Sequence, residues 1–260
     1  MIGLLRSELL KLRTITMNWV LGIIAVLFPV AITLIVAATT GDDEYTLASN
    51  VLEVLSGTNR VAVMLLGVIA AVSITNEYGF GTIRPTFAAT PKRSRVVLAK
   101  GAVVVVTAML IDTVVLFAGL LGANAVLPTR TDGTSLDLLG EPGLQAMLIG
   151  SVVLAGLAAL AAYGVGMLLR STPASVAMFI LWPLLVEGLV GGVLIAITKD
   201  TNAMRWLPFQ SGFQLGNLGS GFVGPDGDVG FSRVASGFYF GGVALGLSLL
   251  GTLSVQRRDA

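Results

Sequence analysis

The chain has 260 residues, of which 55% are hydrophobic and 12% charged, with a net charge of +1 and a mean hydropathy of +0.88. Such an apolar composition indicates a membrane protein, and the nearly cancelling charges give no argument for a nucleic-acid partner. Because cysteine and histidine are absent, disulfides, thiolate chemistry and catalysis that depends on Cys, His or zinc are excluded.

Residues 1–17 are predicted to form an amphipathic helix at the inner membrane interface. The apolar positions recur at helical spacing and are Ile2, Leu5, Leu9 and Leu12. The basic residues of the segment are Arg6, Lys11 and Arg13. Because Glu8 and Leu10 interrupt the pattern, a plain basic flank that orients the first span stays open as the alternative. No small-residue cleavage site follows, so the first span is expected to be uncleaved.

Six apolar runs are long enough to cross about 30 Å of hydrocarbon as helices. They lie at approximately 18–40, 54–75, 101–127, 143–169, 174–197 and 234–255. The second run is the weakest because Arg60 interrupts it, and this guanidinium is expected to snorkel or to pair with Glu53. The sequence therefore predicts an all-α integral membrane fold that occupies residues 1–260 as a single domain, since the connecting stretches are too short for a soluble core.

The distribution of basic residues predicts which side of the membrane the termini face. With six spans both termini share one side, and the eleven basic residues of that side are Arg6, Lys11, Arg13, Arg84, Lys92, Arg93, Arg95, Lys100, Arg170, Arg257 and Arg258. The other side has four, which are Arg130, Lys199, Arg205 and Arg233. The positive-inside rule then places both termini in the cytoplasm. We expect a multi-pass protein of a bacterial plasma membrane.

Two carboxyl groups fall inside the predicted spans, where an unpaired ionised group costs roughly 2.5 to 3.5 kcal/mol by insertion scales. Asp112 shares a helix face with mostly small residues, so an interhelical hydrogen bond and a role in lining a translocation pathway both stay open. Glu187 follows Pro183, where a kink is expected because proline lacks an N–H donor. Glu187 either points into a dimer cavity or has a local structural role.

The segment 198–233 before the last span mixes glycines with apolar residues. Two interpretations are open. The segment either re-enters the outer leaflet and caps a pathway, or it forms a glycine-rich interfacial loop that Trp206 anchors.

The loop between the second and third runs, Asn76 to Lys100, reads NEYGFGTIRPTFAATPKRSRVVLAK. Its order of Glu77, Gly81-Thr82, Thr90-Pro91, Arg93 or Arg95, and Lys100 resembles the first cytoplasmic loop of type-2 ABC transporter permeases, particularly the short actinobacterial-looking members. The resemblance also covers the opening ELLKLRT, the six-span layout and the outer WLPFQSG. It implies a short cytoplasmic coupling helix that sits in a groove of an ATPase.

The resemblance also implies which residues couple the chain to the ATPase, and they are Glu77, Tyr78, Gly81, Thr82 and Arg84. Polar side chains would hold the moving partner, while the glycines allow the backbone to bend. The alternative for the basic cluster is a plain positive-inside stop signal, with Glu77 as a solvated loop residue.

No string of the form GxxxxGK[ST] occurs, so the chain lacks the common phosphate cradle of ATPases. The resemblance implies a separate ABC ATPase that binds ATP and Mg, a second permease copy in a homodimer or heterodimer, and outward transport of a hydrophobic or amphipathic substrate. We expect no enzymatic activity, cofactor or metal in this chain. The alternative is an ATP-independent membrane scaffold, immunity factor or secondary carrier. An intramembrane hydrolase is disfavoured because it would need histidine or clustered carboxylates.

Overall fold

The computed structural model of the chain describes residues 2–39, 44–81, 93–126, 143–218 and 231–258. These residues are helical, with no strand among them. The α-helices are α1 (Ile2–Thr14), α2 (Thr16–Thr39), α3 (Glu44–Gly79), α4 (Arg93–Val126), α5 (Leu144–Leu169), α6 (Thr172–Leu181), α7 (Glu187–Thr198), α8 (Pro208–Phe213) and α9 (Arg233–Arg258). A π-helical turn, Trp182–Val186, joins α6 to α7, and 3-10 turns at Thr201–Trp206 and Gln214–Gly216 flank α8.

Six helical stretches of the described chain are long and apolar enough to cross a membrane. They are Thr16–Thr39, Asn50–Gly79, Arg95–Val126, Leu144–Leu169, Thr172–Thr198 and Arg233–Gln256. The predicted all-α fold with six spans is therefore confirmed. The second and fourth spans are largely buried and form the centre of the bundle, whereas the first, fifth and sixth leave most of their surface exposed.

The connection between the second and third spans is shorter than predicted. Helix α3 continues through Gly79 and α4 already begins at Arg93, so the predicted loop 76–100 is wrong at both of its ends. The charges that suggested a loop do not break the helices, because Glu77 and Lys100 lie on adjacent helices and neutralise each other. The short coupling helix was predicted within the loop 76–100, and the part of that loop between the two helices that could hold it, residues 82–92, lies outside the described residues.

Arg60 does not pair with Glu53 within the described residues, so that prediction is wrong. Its Nη2 instead donates a hydrogen bond of 2.6 Å to the Asn217 side-chain oxygen. The guanidinium carbon also lies 5.3 Å from the ring centre of Phe213. The amide and the aromatic face together give the cation a polar partner and a cation–π contact at the edge of the bundle.

The fourth and sixth spans approach each other more closely than side chains would allow. A Cβ atom on Gly164 would lie 2.6 Å from the Leu247 carbonyl carbon, and one on Gly251 would lie 3.0 Å from the Gly164 oxygen. Glycine is therefore needed at both positions, because any larger residue would push the two backbones apart.

The helix ends gather at two opposite ends of the bundle. At one, which we call the loop end, Tyr78 lies beside Arg170, and Arg170 donates to the Ser254 carbonyl. At the opposite end, Arg60 and Arg233 both bond to Asn217. The second, fourth and sixth spans therefore end on the same side, as an alternating six-span bundle requires.

The segment before the last span is folded into the bundle over Thr201–Gly216. The carbonyl of Leu215 packs directly against Gly150, and a Cβ on Gly212 would lie 2.9 Å from the Phe240 ring. Gly150 is six residues beyond the start of α5, so the segment reaches about 9 Å into the bundle at 1.5 Å per residue. For these residues the packing fits the re-entrant interpretation, while the predicted interfacial anchoring by Trp206 stays open, since Trp206 is exposed.

Helix α1 packs with a face that is shifted from the predicted one. Leu12 contacts the core of the bundle as expected, but Leu9 is exposed and Glu8 is buried. The sequence pattern failed because Glu8 was treated as an interruption. Its carboxylate in fact finds a cation on another helix, which makes a charged residue acceptable on the packed face.

Candidate functional site

Four charged side chains meet at the loop end, and we call them the four-charge cluster: Glu8, Lys11, Glu77 and Lys100. Lys11 lies 2.8 Å from a carboxylate oxygen of Glu8 and 2.8 Å from one of Glu77. Lys100 lies 2.5 Å from Glu8 and 2.9 Å from Glu77. Each lysine therefore bridges both carboxylates, and the cluster joins α1, α3 and α4 at a single point.

The cluster is neutral as a unit and mostly removed from solvent. Glu8, Glu77 and Lys100 are each less than a tenth exposed, whereas the side chain of Lys11 is 43% exposed. Burial lowers the pKa of Lys11, but the hydrogen bonds to Glu77 and Glu8 outweigh it and the pKa lies above its ordinary value. The folded state thus holds this proton more tightly, and the resulting stabilisation is lost only as the pH rises through the raised pKa.

This placement changes the expected role of Glu77. The carboxylate is 7% exposed and is held by two ammonium groups, so the alternative of a solvated loop residue is wrong. A side chain so enclosed does not present a free charge to a soluble partner. Glu77 instead fixes the end of α3 relative to α1 and α4, directly before the chain leaves the bundle.

Tyr78 also faces the bundle. The guanidinium carbon of Arg170, at the end of α5, lies 5.0 Å from its ring centre. The Nη2 atom of Arg170 donates a hydrogen bond of 3.1 Å to the Ser254 carbonyl of α9. Tyr78 and Arg170 therefore connect the end of the second span to the ends of the fourth and sixth.

The exposed part of this site begins after Tyr78. Helix α3 ends at Gly79, and the chain turns at Gly81, whose positive φ of 67° is readily adopted by glycine. Phe80, immediately before it, is 79% exposed, and the sequence analysis missed it. Its signal was an aromatic residue between two glycines directly after an apolar span. Thr82 and Arg84, two of the predicted coupling residues, lie outside the described residues.

A cavity of about 310 Å³ opens beside the four-charge cluster. Thr14, Asn76 and Phe80 contribute to its wall together with members of the cluster. The cavity extends from the four-charge cluster to the exposed Phe80 at the end of the second span.

Asp112 lies in the middle of α4 and is fully buried. The helix face that carries Asp112 packs closely against α3, as its row of small residues led us to expect. A Cβ on Gly119 would lie 2.6 Å from Leu55 of α3. The side chain of Asn59, on α3, is a neighbour of Asp112. Within the described part of the chain, however, neither carboxyl oxygen of Asp112 nor the side-chain oxygen of Asn59 has a hydrogen-bond partner.

Replacing Asp112 with asparagine is expected to raise the free energy of unfolding by about 1 to 3 kcal/mol, the usual cost of an unsatisfied buried polar group. An asparagine amide supplies an N–H donor for the neighbouring Asn59 oxygen, which has no hydrogen-bond partner within the described residues. Thermal unfolding in detergent measures the change, with the exposed Glu53→Gln as the matched control. A less stable Asp112→Asn protein would contradict the prediction and indicate that the carboxyl group has a partner.

Glu187 is 1% exposed and binds the re-entrant segment. Its two carboxylate oxygens accept hydrogen bonds of 2.9 Å each from the backbone N–H groups of Phe209 and Gln210, at the start of α8. Trp182 Nε1 donates a third bond of 3.2 Å. The carboxylate therefore caps α8, and this geometry supports a local structural role over one in a dimer cavity.

The kink expected at Pro183 takes the form of a π-helical turn. Pro183 has no N–H to donate, and in the turn Trp182–Val186 the Glu187 N–H bonds to the Trp182 carbonyl, five residues back. A π-helical turn contains one residue more than an α-helical turn, and this turn ends directly before Glu187. The turn therefore contributes to the direction in which that carboxylate points.

The sequence matches the family model described as ABC-2 family transporter protein over residues 4–182. The match covers more than two thirds of the chain and includes all four members of the four-charge cluster, Phe80 and Asp112. No curated protein and no solved structure matches the chain significantly. The resemblance stated from the loop motifs is confirmed, and the chain belongs to the ABC-2 family of membrane transporter proteins.

Proposed function

We propose that the chain is the permease subunit of an ATP-driven exporter and that two permease copies form the pathway. A separate ATPase, which binds ATP and Mg, drives them through contacts at residues 80–92. The substrate is a hydrophobic or amphipathic molecule moved outward from the cytoplasm. The membership of the ABC-2 family supports the permease role, and the prevalence of exporters among the permeases that the loop resembles supports the direction.

The exposure of Phe80 is the observation that carries the proposed coupling. An aromatic side chain that is 79% exposed lies at the loop end, directly after the residues that bind the bundle. Aromatic residues are enriched among the side chains that dominate protein–protein binding energy. Phe80 offers an anchor for a soluble partner, and four basic residues follow it in sequence at Arg84, Lys92, Arg93 and Arg95.

In this proposal the four-charge cluster transmits the movement of the ATPase to the helices of the permease. Glu77 lies three residues before Phe80 and is tied to α1 by Lys11 and to α4 by Lys100. A displacement of Phe80 by the ATPase would therefore move the ends of α1, α3 and α4 together. To shift two states of the permease from 1:99 to 99:1, the ATP-bound partner must favour one of them by about 5.5 kcal/mol.

The proposal places the loop end, with both termini, in the cytoplasm of a bacterial cell. The basic bias of the sequence supports this orientation. The second, fourth and sixth spans all end at the loop end, so one orientation brings every one of these helix ends to the cytoplasmic face.

The coupling is tested in vesicles that contain the chain and a Walker-motif ATPase sought among its neighbouring genes. The double variant Phe80→Ala, Arg84→Glu is expected to bind the ATPase at least about tenfold more weakly, because truncating an interface anchor costs more than 1.4 kcal/mol. Its transport per ATP hydrolysed should fall in parallel. Binding is measured by titration of the labelled ATPase, and transport by uptake of a hydrophobic dye into inverted vesicles.

The matched control is Lys199→Glu, a charge reversal of an exposed residue at the opposite end of the bundle, which should leave binding unchanged. Unaltered binding in the double variant would remove residues 80–84 from the coupling. Transport by the chain without any ATPase would favour the alternative of a secondary carrier. A chain that neither binds the ATPase nor transports would favour a scaffold or immunity factor.

A further inference from the structure

A second cavity, which we call the lateral groove, lies on the outer surface of the bundle beside α1. It measures about 390 Å³ and is lined by residues of α1, α2, α3 and α4. Most of its lining is apolar and includes Ile23, Leu27 and Ile111. A volume of this size is within the range of small-molecule sites in proteins. Four helices define the groove, so it is a formed concavity and not merely an exposed helix face.

The length of the groove matches one leaflet of a bilayer. Its lining extends from Arg13, at the end of α1, to Leu27 in α2. From the start of α2 at Thr16 to Leu27 there are eleven residue steps, or about 17 Å at 1.5 Å per residue. Half of the hydrocarbon core measures about 15 Å. An acyl chain that enters at the interface would therefore be accommodated along the full length of the groove.

Polar groups are concentrated at the α1 end of the groove. Arg13 is exposed there, and its carbonyl accepts a hydrogen bond of 2.7 Å from Trp19 Nε1, which holds the indole on the groove wall. Asn18 also lines the groove and is only 8% exposed. Its Nδ2 donates to the Leu12 carbonyl, while its Oδ1 has no partner among the described residues.

We infer that the lateral groove binds one anionic phospholipid of the cytoplasmic leaflet, such as phosphatidylglycerol. The acyl chain lies along Ile23 and Leu27, and the phosphate binds the guanidinium of Arg13. A cation at the interface followed inward by an apolar channel matches the order of phosphate and acyl chain in a phospholipid. The inference uses the cytoplasmic orientation of the loop end but not the contact with the ATPase.

Trp19 provides the probe, because it lines the groove and the chain has only two other tryptophans, Trp182 and Trp206. The purified chain is reconstituted in phosphatidylcholine vesicles that contain a minor fraction of lipid with brominated acyl chains, which quench nearby indoles. The signal of a Trp19→Phe protein is subtracted to isolate Trp19. Brominated phosphatidylglycerol is expected to associate at Trp19 about fivefold more strongly than brominated phosphatidylcholine, the factor that one basic residue near a membrane surface contributes.

Substitutions at two positions, Arg13 and Gly22, separate the headgroup site from the acyl channel. Arg13→Gln should remove the preference for phosphatidylglycerol, and Arg13→Lys should retain most of it. Gly22 also lines the groove, and a Cβ on it meets nothing within 4 Å, so Gly22→Leu fills the channel without a clash. Gly246→Leu, which also enters open space but lies in α9 outside the groove, is the matched control.

Loss of selective quenching in Gly22→Leu and Arg13→Gln, with wild-type behaviour in Gly246→Leu, would support the lipid site. Equal quenching by the two brominated lipids in the wild-type chain would overturn it, as would unchanged selectivity in Gly22→Leu. A Gly22→Leu protein whose oligomeric mass changes while lipid selectivity persists would also overturn it, because the groove would then belong to a contact between copies. None of these readouts depends on the ATPase, so the lipid site and the proposed coupling can fail independently.

Discussion

Replacing Lys100 with methionine is expected to lower the free energy of unfolding by about 3 to 5 kcal/mol, the cost of removing one partner from a buried ion pair. Lys100 is 4% exposed and bridges Glu8 and Glu77. Without it the two carboxylates would share the partly exposed Lys11 as their remaining cation in the four-charge cluster. Methionine fills a similar volume, so the loss would report on charge and not on a cavity. Thermal unfolding in detergent measures the change.

A second substitution distinguishes charge imbalance from lost packing. Adding Glu8→Gln to Lys100→Met removes one negative charge and leaves Lys11 paired with Glu77, so we expect part of the stability to return. The matched control is Arg95→Met, an exposed residue five positions earlier on α4, which should change stability by less than about 0.5 kcal/mol. A single Lys100→Met variant as stable as the wild-type chain would show that the cluster is not held together as described.

The helices of this fold were readable from the sequence because hydrocarbon imposes a simple requirement on them. A span must be apolar over about 20 residues, and each of the six runs met that condition closely enough to be located. The error at Glu77 and Lys100 has the same origin. Hydropathy treats a charged residue as the end of a span, whereas two opposite charges on neighbouring helices can lie within the helical ends and neutralise each other.

The candidate site was only partly readable, because its geometry depends on contacts between residues far apart in the chain. Glu77 and Tyr78 were selected from the loop motif, but their partners Lys11 and Arg170 come from other helices. Nothing in the spacing of α1 indicates that Glu8 rather than Leu9 faces the bundle. Phe80 was overlooked for a related reason, since the sequence does not show which side of the α3 terminus remains uncovered.

The groove beside α1 could not be read from the sequence either. Its apolar wall has the same composition as any lipid-facing helix surface, and hydropathy does not distinguish a concave surface from a convex one. Gly22 of α2 and Thr107 of α4 both line the concavity, and a Cβ on Gly22 would meet nothing within 4 Å, so a larger residue there would fill the space. Only the packing of the helices brings Arg13 and Asn18 to the mouth of that space.

Replacing Glu187 with alanine is expected to lower the free energy of unfolding by about 3 kcal/mol or more, because hydrogen bonds to a charged group contribute roughly 1.5 to 3 kcal/mol each. The carboxylate accepts from the backbone N–H groups of Phe209 and Gln210, and these donors would be left without an acceptor next to Pro208. The short helix α8 has only six residues, which is too few to be stable without capping and packing. Hydrogen exchange of the peptide 204–218, followed by mass spectrometry, measures the local effect.

The conservative variant Glu187→Gln separates the effect of hydrogen-bond capping from the effect of side-chain volume. A glutamine amide keeps one oxygen acceptor, so it should preserve one of the two backbone bonds and lose about half as much stability as alanine does. The exposed Glu53→Ala serves as the matched control and should leave exchange at 204–218 unchanged.

The sixth span should also respond to Glu187→Ala, because Gly212 and Leu215 pack against α9. A loosened α8 would expose the neighbouring Phe240 ring to solvent or lipid. Protection of residues 208–213 that survives Glu187→Ala would mean that packing alone holds the re-entrant segment and that the carboxylate is free for another role.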